Sequence, residues 1–270
     1  MKNIGRTITI TALALGLTAA PVFCGETETE EGILNRVTTE MTDGTMTIRI
    51  ESAKEEDPGF YWESWHGDKG DASCVECITE TDMEDGLAYA GSFRAIDDGE
   101  DTIRLVYTNG HYTREYLDFN VTSKDGKITE STGGGQAFET KGEDLAPYLE
   151  GIWEESDGGT HYLEIALVDD GGLSFRVSDS SGRNGNTVFY TMTAYYDAIL
   201  EALVYWDGTE HSAVITGEET ETEESNTGEG TGMFGIVVLS DEETDDAAIG
   251  IHWLDNTFGN DGTNMFVKSE

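Results

Sequence analysis

Apolar and polar residues alternate in short runs along most of the chain. This period of two commits it to β-strands, because successive side chains of an extended backbone point to opposite faces. Met46, Ile48 and Ile50 alternate with Thr47 and Arg49, and the pattern returns over residues 60–65, 74–81, 87–96, 102–108 and 112–122. Asp97-Asp98-Gly99-Glu100 and Asn109-Gly110 separate the last three runs. Asn-Gly is a strong hairpin signal, since both residues tolerate the positive φ of a tight turn. Residues 44–130 are therefore read as an immunoglobulin-like β-sandwich of six or seven strands.

The composition then changes. Residues 131–147 contain Gly133-Gly134-Gly135 and Pro147 with few large apolar side chains, as expected of a linker. Alternation resumes over 148–270 in eight or nine short runs joined by tight turns such as Asp207-Gly208, the pattern of an antiparallel barrel or curled sheet. Residues 217–230 interrupt it with six Glu and no basic residue, and self-repulsion is expected to keep them as a disordered acidic loop. The fold class is all-β.

Residues 1–24 carry Lys2 and Arg6 ahead of an apolar stretch and hold no acidic residue, which reads as a secretory signal peptide. Cys24 is a candidate lipid anchor, so the expected location is extracellular or at the cell surface, with 25–43 as an acidic tether. No later segment approaches the ~20 apolar residues of a membrane-spanning helix. Lys and Arg total 15 against 55 Asp and Glu, a formal net charge of −40. Such a field repels nucleic-acid phosphates and anionic membranes, which excludes both as partners.

The run Asp57-Pro58-Gly59-Phe60-Tyr61-Trp62, with Phe93, Asp101-Thr102-Ile103-Arg104-Leu105-Val106-Tyr107 and Leu117-Asp118-Phe119-Asn120-Val121, resembles the immunoglobulin-like fold of chagasin-type inhibitors of papain-like cysteine proteases. The resemblance covers roughly 45–130 and implies three loops that enter a protease cleft. The candidates for them are Asp57, Pro58 and Gly59, then Asp85 and Gly86, then Asn109 and Gly110. The first is short, and Asn109-Gly110 stands where the family has an aromatic wedge. Gly151-Ile152-Trp153, Tyr195-Tyr196-Asp197, Leu203-Val204-Tyr205-Trp206 and His252-Trp253-Leu254-Asp255 resemble a lipocalin-like β-domain of uncharacterised exported proteins of Gram-positive bacteria. That resemblance implies Trp153 as a plug at the closed end of the barrel, with Lys268 the basic residue offered by the last strand. Trp153, Tyr205, Trp206 and Trp253 are the ligand-pocket candidates, and a fully packed interior is the expectation weighed against a cavity.

Catalytic signatures are missing from the sequence. His66, His111, His161, His211 and His252 are isolated, without a metal-ligand spacing, and most of them are read as surface or turn residues. No Gly-x-Ser-x-Gly elbow occurs. Cys74-Val75-Glu76-Cys77 is either a pair of thiols on a strand or a local disulfide. No cofactor is expected. The one metal candidate is calcium, at Asp97-Asp98-Gly99-Glu100-Asp101 or at Asp255-Asn256 with Asn260-Asp261-Gly262, where oxygen ligands gather around flexible glycines. The chain is expected to be a secreted, non-catalytic binding protein for a protein, peptide or glycan. The alternatives are an inhibitor of papain-like proteases and a carrier of a small apolar ligand.

Overall fold

The computed structural model describes residues 10–12, 36–51, 59–65, 73–81, 87–137, 139–169, 171–179, 186–216, 219–240, 247–258 and 261–269. The chain divides into two units between Glu139 and Thr140. A three-residue strand, β1 (Ile10–Ala12), groups with the second unit. The first unit comprises β2 (Arg36–Thr42), β3 (Thr45–Glu51), β4 (Tyr61–Ser64), β5 (Val75–Thr81), β6 (Leu87–Ala95), β7 (Gly99–Thr108), β8 (Thr113–Lys124) and β9 (Lys127–Ala137).

These strands form two antiparallel four-stranded sheets, ordered β2-β3-β6-β5 and β4-β7-β8-β9. The alternation read from the sequence supplies their shared core. Met46, Ile48, Ile50, Tyr89 and Phe93 come from one sheet, and Trp62, Ile103, Leu105, Phe119 and Val121 from the other. Burying each such side chain stabilises the fold by about 1.5–3 kcal/mol relative to exposure. The residues expected as an acidic tether, 25–43, include β2. Its pairing is set by Asp43 and Gly44, both at positive φ (53° and 83°), a two-residue turn that places Thr42 opposite Thr45.

The second unit opens with α1 (Gly142–Leu149), followed by β10 (Gly151–Glu155), β11 (His161–Leu167), β12 (Leu173–Asp179), β13 (Asn186–Asp197), β14 (Ala202–Thr216), β15 (Glu219–Ser240), β16 (Ala247–Asp255) and β17 (Asp261–Lys268). Each strand runs antiparallel to the next, and β17 returns to pair with β10, closing an eight-stranded barrel. β1 lies against Val237, Val238 and Leu239 of β15, beyond the point where pairing with β14 ends at Gly235. No helix among the described residues is long and apolar enough to cross a membrane.

Two expectations are corrected here. The stretch 131–147 is not a plain linker: 131–137 complete β9, and 142–147 lie in α1. Leu145, Ala146 and Leu149 are buried in the barrel core, a helical spacing that Pro147 and the neighbouring glycines obscure. The stretch 217–230 is not a disordered loop over its described part, since β15 begins at Glu219 and pairs with β14 from Thr216–Glu219 to Glu210–Ser225. A ladder of backbone hydrogen bonds outweighs side-chain repulsion that solvent and salt screen.

α1 docks through a close backbone approach. The Gly142 N–H donates to the Gly171 carbonyl (2.7 Å), and a Cβ on Gly142 would stand 2.5 Å from the Gly172 carbonyl oxygen. Ala is the better helix former by about 1 kcal/mol, but that preference cannot relieve a collision with backbone. Gly142→Ala should therefore lower stability by about 1–3 kcal/mol in urea unfolding.

Candidate functional site

The barrel interior is layered by the same period of two. The middle layer is apolar: Trp153, Leu163, Val177, Met192, Tyr205, Phe234, Trp253 and Phe266 point inward and are buried. Phe175 and Phe234 stack with centroids 4.0 Å apart, so side chains occupy the barrel axis. α1 covers one end, where the Trp153 indole N–H donates to the Leu149 carbonyl (2.8 Å) and Lys268 Nζ lies 5.7 Å from the Trp153 ring centroid. At the other end, two residues further along several strands, the inward positions turn polar. Glu155 follows Trp153 on β10, His161 precedes Leu163 on β11, Asp179 follows Val177 on β12, Asp255 follows Trp253 on β16, and Asn264 precedes Phe266 on β17. Glu210 faces Tyr190 across the β13–β14 ladder. This polar rim on an apolar core is the candidate site.

Glu155 organises one side of the rim. One oxygen accepts the His161 backbone N–H (3.0 Å), and the other meets His161 Nδ1 (2.9 Å) and the Asn264 amide. Burial alone would raise the Glu155 carboxyl, but the His161 and Asn264 donors together with the His161 charge outweigh it, leaving the pKa below the ordinary value of 4.5. His161 Nε2 faces Asp179 Oδ2 at 3.9 Å, while the Thr160 hydroxyl donates to Asp179 Oδ1 (3.0 Å).

A second network closes the opposite side. The Tyr205 hydroxyl donates to buried Asp255 and accepts the Trp253 indole N–H (2.9 Å). The other Asp255 oxygen accepts the backbone N–H groups of Thr257 and Phe258, which fixes the turn after β16. Burial and then the Asp255 hydrogen bond push the Tyr205 phenol far above its ordinary value. The Phe258 ring lies against Gly208 and Gly230, where a Cβ would stand 3.1 Å and 2.6 Å from it, and also contacts Tyr190 (4.7 Å). Burial, followed by the charges of Glu210, Asp179 and Asp255, raises the Tyr190 phenol, so this ring shares one electrostatic environment with the rim carboxylates.

Three of the four pocket candidates, Trp153, Tyr205 and Trp253, are core residues. Trp206 is not, because adjacent strand residues face opposite ways; it stacks on Tyr195 instead (5.2 Å). Of the loop candidates, Asp57, Pro58, Asp85 and Gly86 lie outside the described residues, as does Cys24. Gly59 precedes β4, and Asn109-Gly110 is a compact turn: Asn109 Oδ1 accepts the His111 and Tyr112 N–H groups (2.9 and 3.1 Å). A Cβ on Gly110 would come 3.7 Å from the hydroxyl of Tyr61, the first residue of β4. Beside them Arg114 stacks on Phe60 (3.8 Å).

At the first calcium candidate, Asp101 accepts the Ser73 hydroxyl and the N–H groups of Cys74, Val75 and Thr102 (2.8–3.2 Å), and Asp98 accepts the Asp125 N–H (2.7 Å). At the second, Asp255 holds the network above, while Asn260 lies outside the described residues. Cys74 and Cys77 are free thiols, the first buried in the sandwich core. Among the histidines, His161 is partly buried and faces inward, and His211, also partly buried, stacks on Phe189 (4.6 Å) and lies 3.6 Å from Glu224. Sequence spacing could not reveal the rim, because its members lie on different strands. The one local signal was a polar residue two positions beyond a buried aromatic, as in Trp153–Glu155 and Trp253–Asp255.

Two outcomes follow. Because the folded Glu155 pKa is depressed, its stabilising contribution is complete above its unfolded value near 4.5 and disappears as pH falls through the lower folded value. Glu155→Gln should therefore flatten the acid limb of a melting-temperature profile below about pH 5. Tyr205→Phe leaves the Trp253 N–H and an Asp255 oxygen without their partner and should cost about 1–3 kcal/mol in urea unfolding.

Compared with known proteins, the chain matches no family model, no curated protein and no solved structure.

Proposed function

We propose that the chain is an exported, non-catalytic ligand-binding protein of two β modules, and that its principal binding surface is the rim of the C-terminal barrel. The observation that carries this reading is the rim itself. Inward-facing carboxylates, an imidazole and an amide sit on an interior that is otherwise apolar, and burying such groups costs stability that hydrophobic residues would not. Polar groups retained at a partly open barrel end are the usual makings of a ligand site. Among the described residues the hydrogen bonds and ion pairs of His161 run to Glu155, Asp179 and Asn264. Export rests on the apolar, acid-free leader at 1–24.

The two resemblances gain limited support. The order β2-β3-β6-β5 against β4-β7-β8 is the strand order of an immunoglobulin constant-type sandwich, with β9 added at the edge. Trp153 beside the helix-covered end, with Lys268 over its ring, agrees with a lipocalin-like plug. Protease inhibition is the weaker alternative, because the Asn109-Gly110 turn satisfies its own backbone and presents no large anchor. An apolar cargo is disfavoured by the packed axis.

Fragment screening of the full chain by NMR tests the reading. Amide shift changes should gather at Glu155, His161, Asp179 and Asn264. Perturbations confined to the sandwich loops, or nanomolar inhibition of papain, would replace it.

A further inference from the structure

We propose that the edge of β15 from Ile236 to Ser240 is a strand acceptor, filled in the full-length chain by its own residues 10–12 and, once the leader is removed, by an uncharged extended peptide that adds antiparallel. Strand addition here does not involve the rim. Only the removal step rests on the export reading.

β15 changes neighbours along its length. One side pairs with β14 as far as Gly235, and the other pairs with β16 from Gly232 to Ser240. Among the described strands, residues 219–230 therefore lack a neighbour on the β16 side, and residues 236–240 lack β14 on the other. The two edges differ in composition. The first holds Glu219, Glu221, Glu223, Glu224 and Glu229, and charges of this kind keep an exposed strand from pairing with other chains. The second, Ile236-Val237-Val238-Leu239-Ser240, has no charge and no proline, and it is rich in β-branched residues.

That unguarded edge is the one that carries an added strand. β1 pairs with it antiparallel, with Ile10 opposite Leu239, Thr11 opposite Val238 and Ala12 opposite Val237. Ile236 packs against the barrel core, so Val237 faces outward. It is nevertheless buried, in register between Gly250 of β16 and Ala12 of β1. The chemistry of the occupant is read from the segment seated there, since the chain has no charged residue from Thr7 to Gly25. Main-chain hydrogen bonds hold such a strand, and an uncharged one meets no repulsion from the acidic surface. A second copy of the chain is disfavoured, because each copy brings a formal charge of −40. Removal of residues 1–24 takes β1 away and leaves the backbone groups of 237–239 open to another segment.

Hydrogen exchange by NMR on the full chain tests the proposal. Successive N–H groups of a strand point to opposite sides, so the double variant Ile10→Pro/Thr11→Pro removes a donor to β15 whichever way β1 faces. The β15 amides between Val237 and Leu239 that face away from β16 should then exchange at least about tenfold faster, while β12 amides keep their rates and report an intact barrel. A synthetic peptide of residues 6–14 should restore the protection, and the same peptide carrying both prolines should not. Unchanged exchange at 237–239 in the variant would overturn the acceptor edge. Faster exchange that the peptide fails to slow, or protection regained at higher protein concentration as the variant sediments as a dimer, would overturn the peptide assignment. These outcomes need no cleavage of the leader and leave the rim untouched, so they fail or succeed apart from the export and rim readings.

Discussion

Closure of the barrel is the constraint on which the second unit depends. When β17 pairs with β10, with Lys268 opposite Trp153 and Phe266 opposite Glu155, every strand gains two neighbours and the inward set of side chains becomes fixed. A one-residue slip would exchange Trp153 for Ile152 and Glu155 for Glu154 across the sheet. The apolar core and the polar rim are thus two heights of a single register. An eight-stranded ring is narrow enough for side chains to fill, and the stacked Phe175 and Phe234 rings do so. The polar inward-facing side chains are correspondingly displaced from the interior to the end of the barrel.

Much of the architecture was legible because alternation is a local property. The strands containing Met46, Ile48 and Ile50, and the inward placement of Trp153, Tyr205 and Trp253, follow from period two and turn residues. The errors have equally local causes. Asp43-Gly44 is as good a hairpin signal as Asn109-Gly110, and it calls for a strand before it, yet the acidity of the preceding residues suggested a tether. Pro147 and three consecutive glycines hid a helix whose buried face is only Leu145, Ala146 and Leu149. The Glu-rich stretch after 217 looked like a repelling loop because its pairing partner, β14, cannot be inferred from its own composition. Trp206 was grouped with Tyr205 although neighbours on a strand must part.

The rim was not legible, for a different reason. Glu155, His161, Asp179 and Asn264 are spread over more than a hundred residues and become neighbours only when β10, β11, β12 and β17 are adjacent. In a chain with 55 acidic residues no single carboxylate stands out. What distinguishes these few is orientation, since most acidic side chains are solvated while these turn toward an apolar interior where their charges are poorly screened. Acidity over the surface and acidity at the rim therefore sit in different electrostatic surroundings, the first screened by solvent and the second less so.

The central claim is that the barrel's interior is its own core and its rim the recognition surface. The most direct measurement is fluorescence titration of the native chain with a neutral lipophilic dye such as N-phenyl-1-naphthylamine. A filled interior predicts no saturable binding to the native state, with dye fluorescence rising only as the barrel unfolds. Stoichiometric binding by the native protein, with quenching of the buried tryptophans, would contradict the account and make the barrel a hollow carrier.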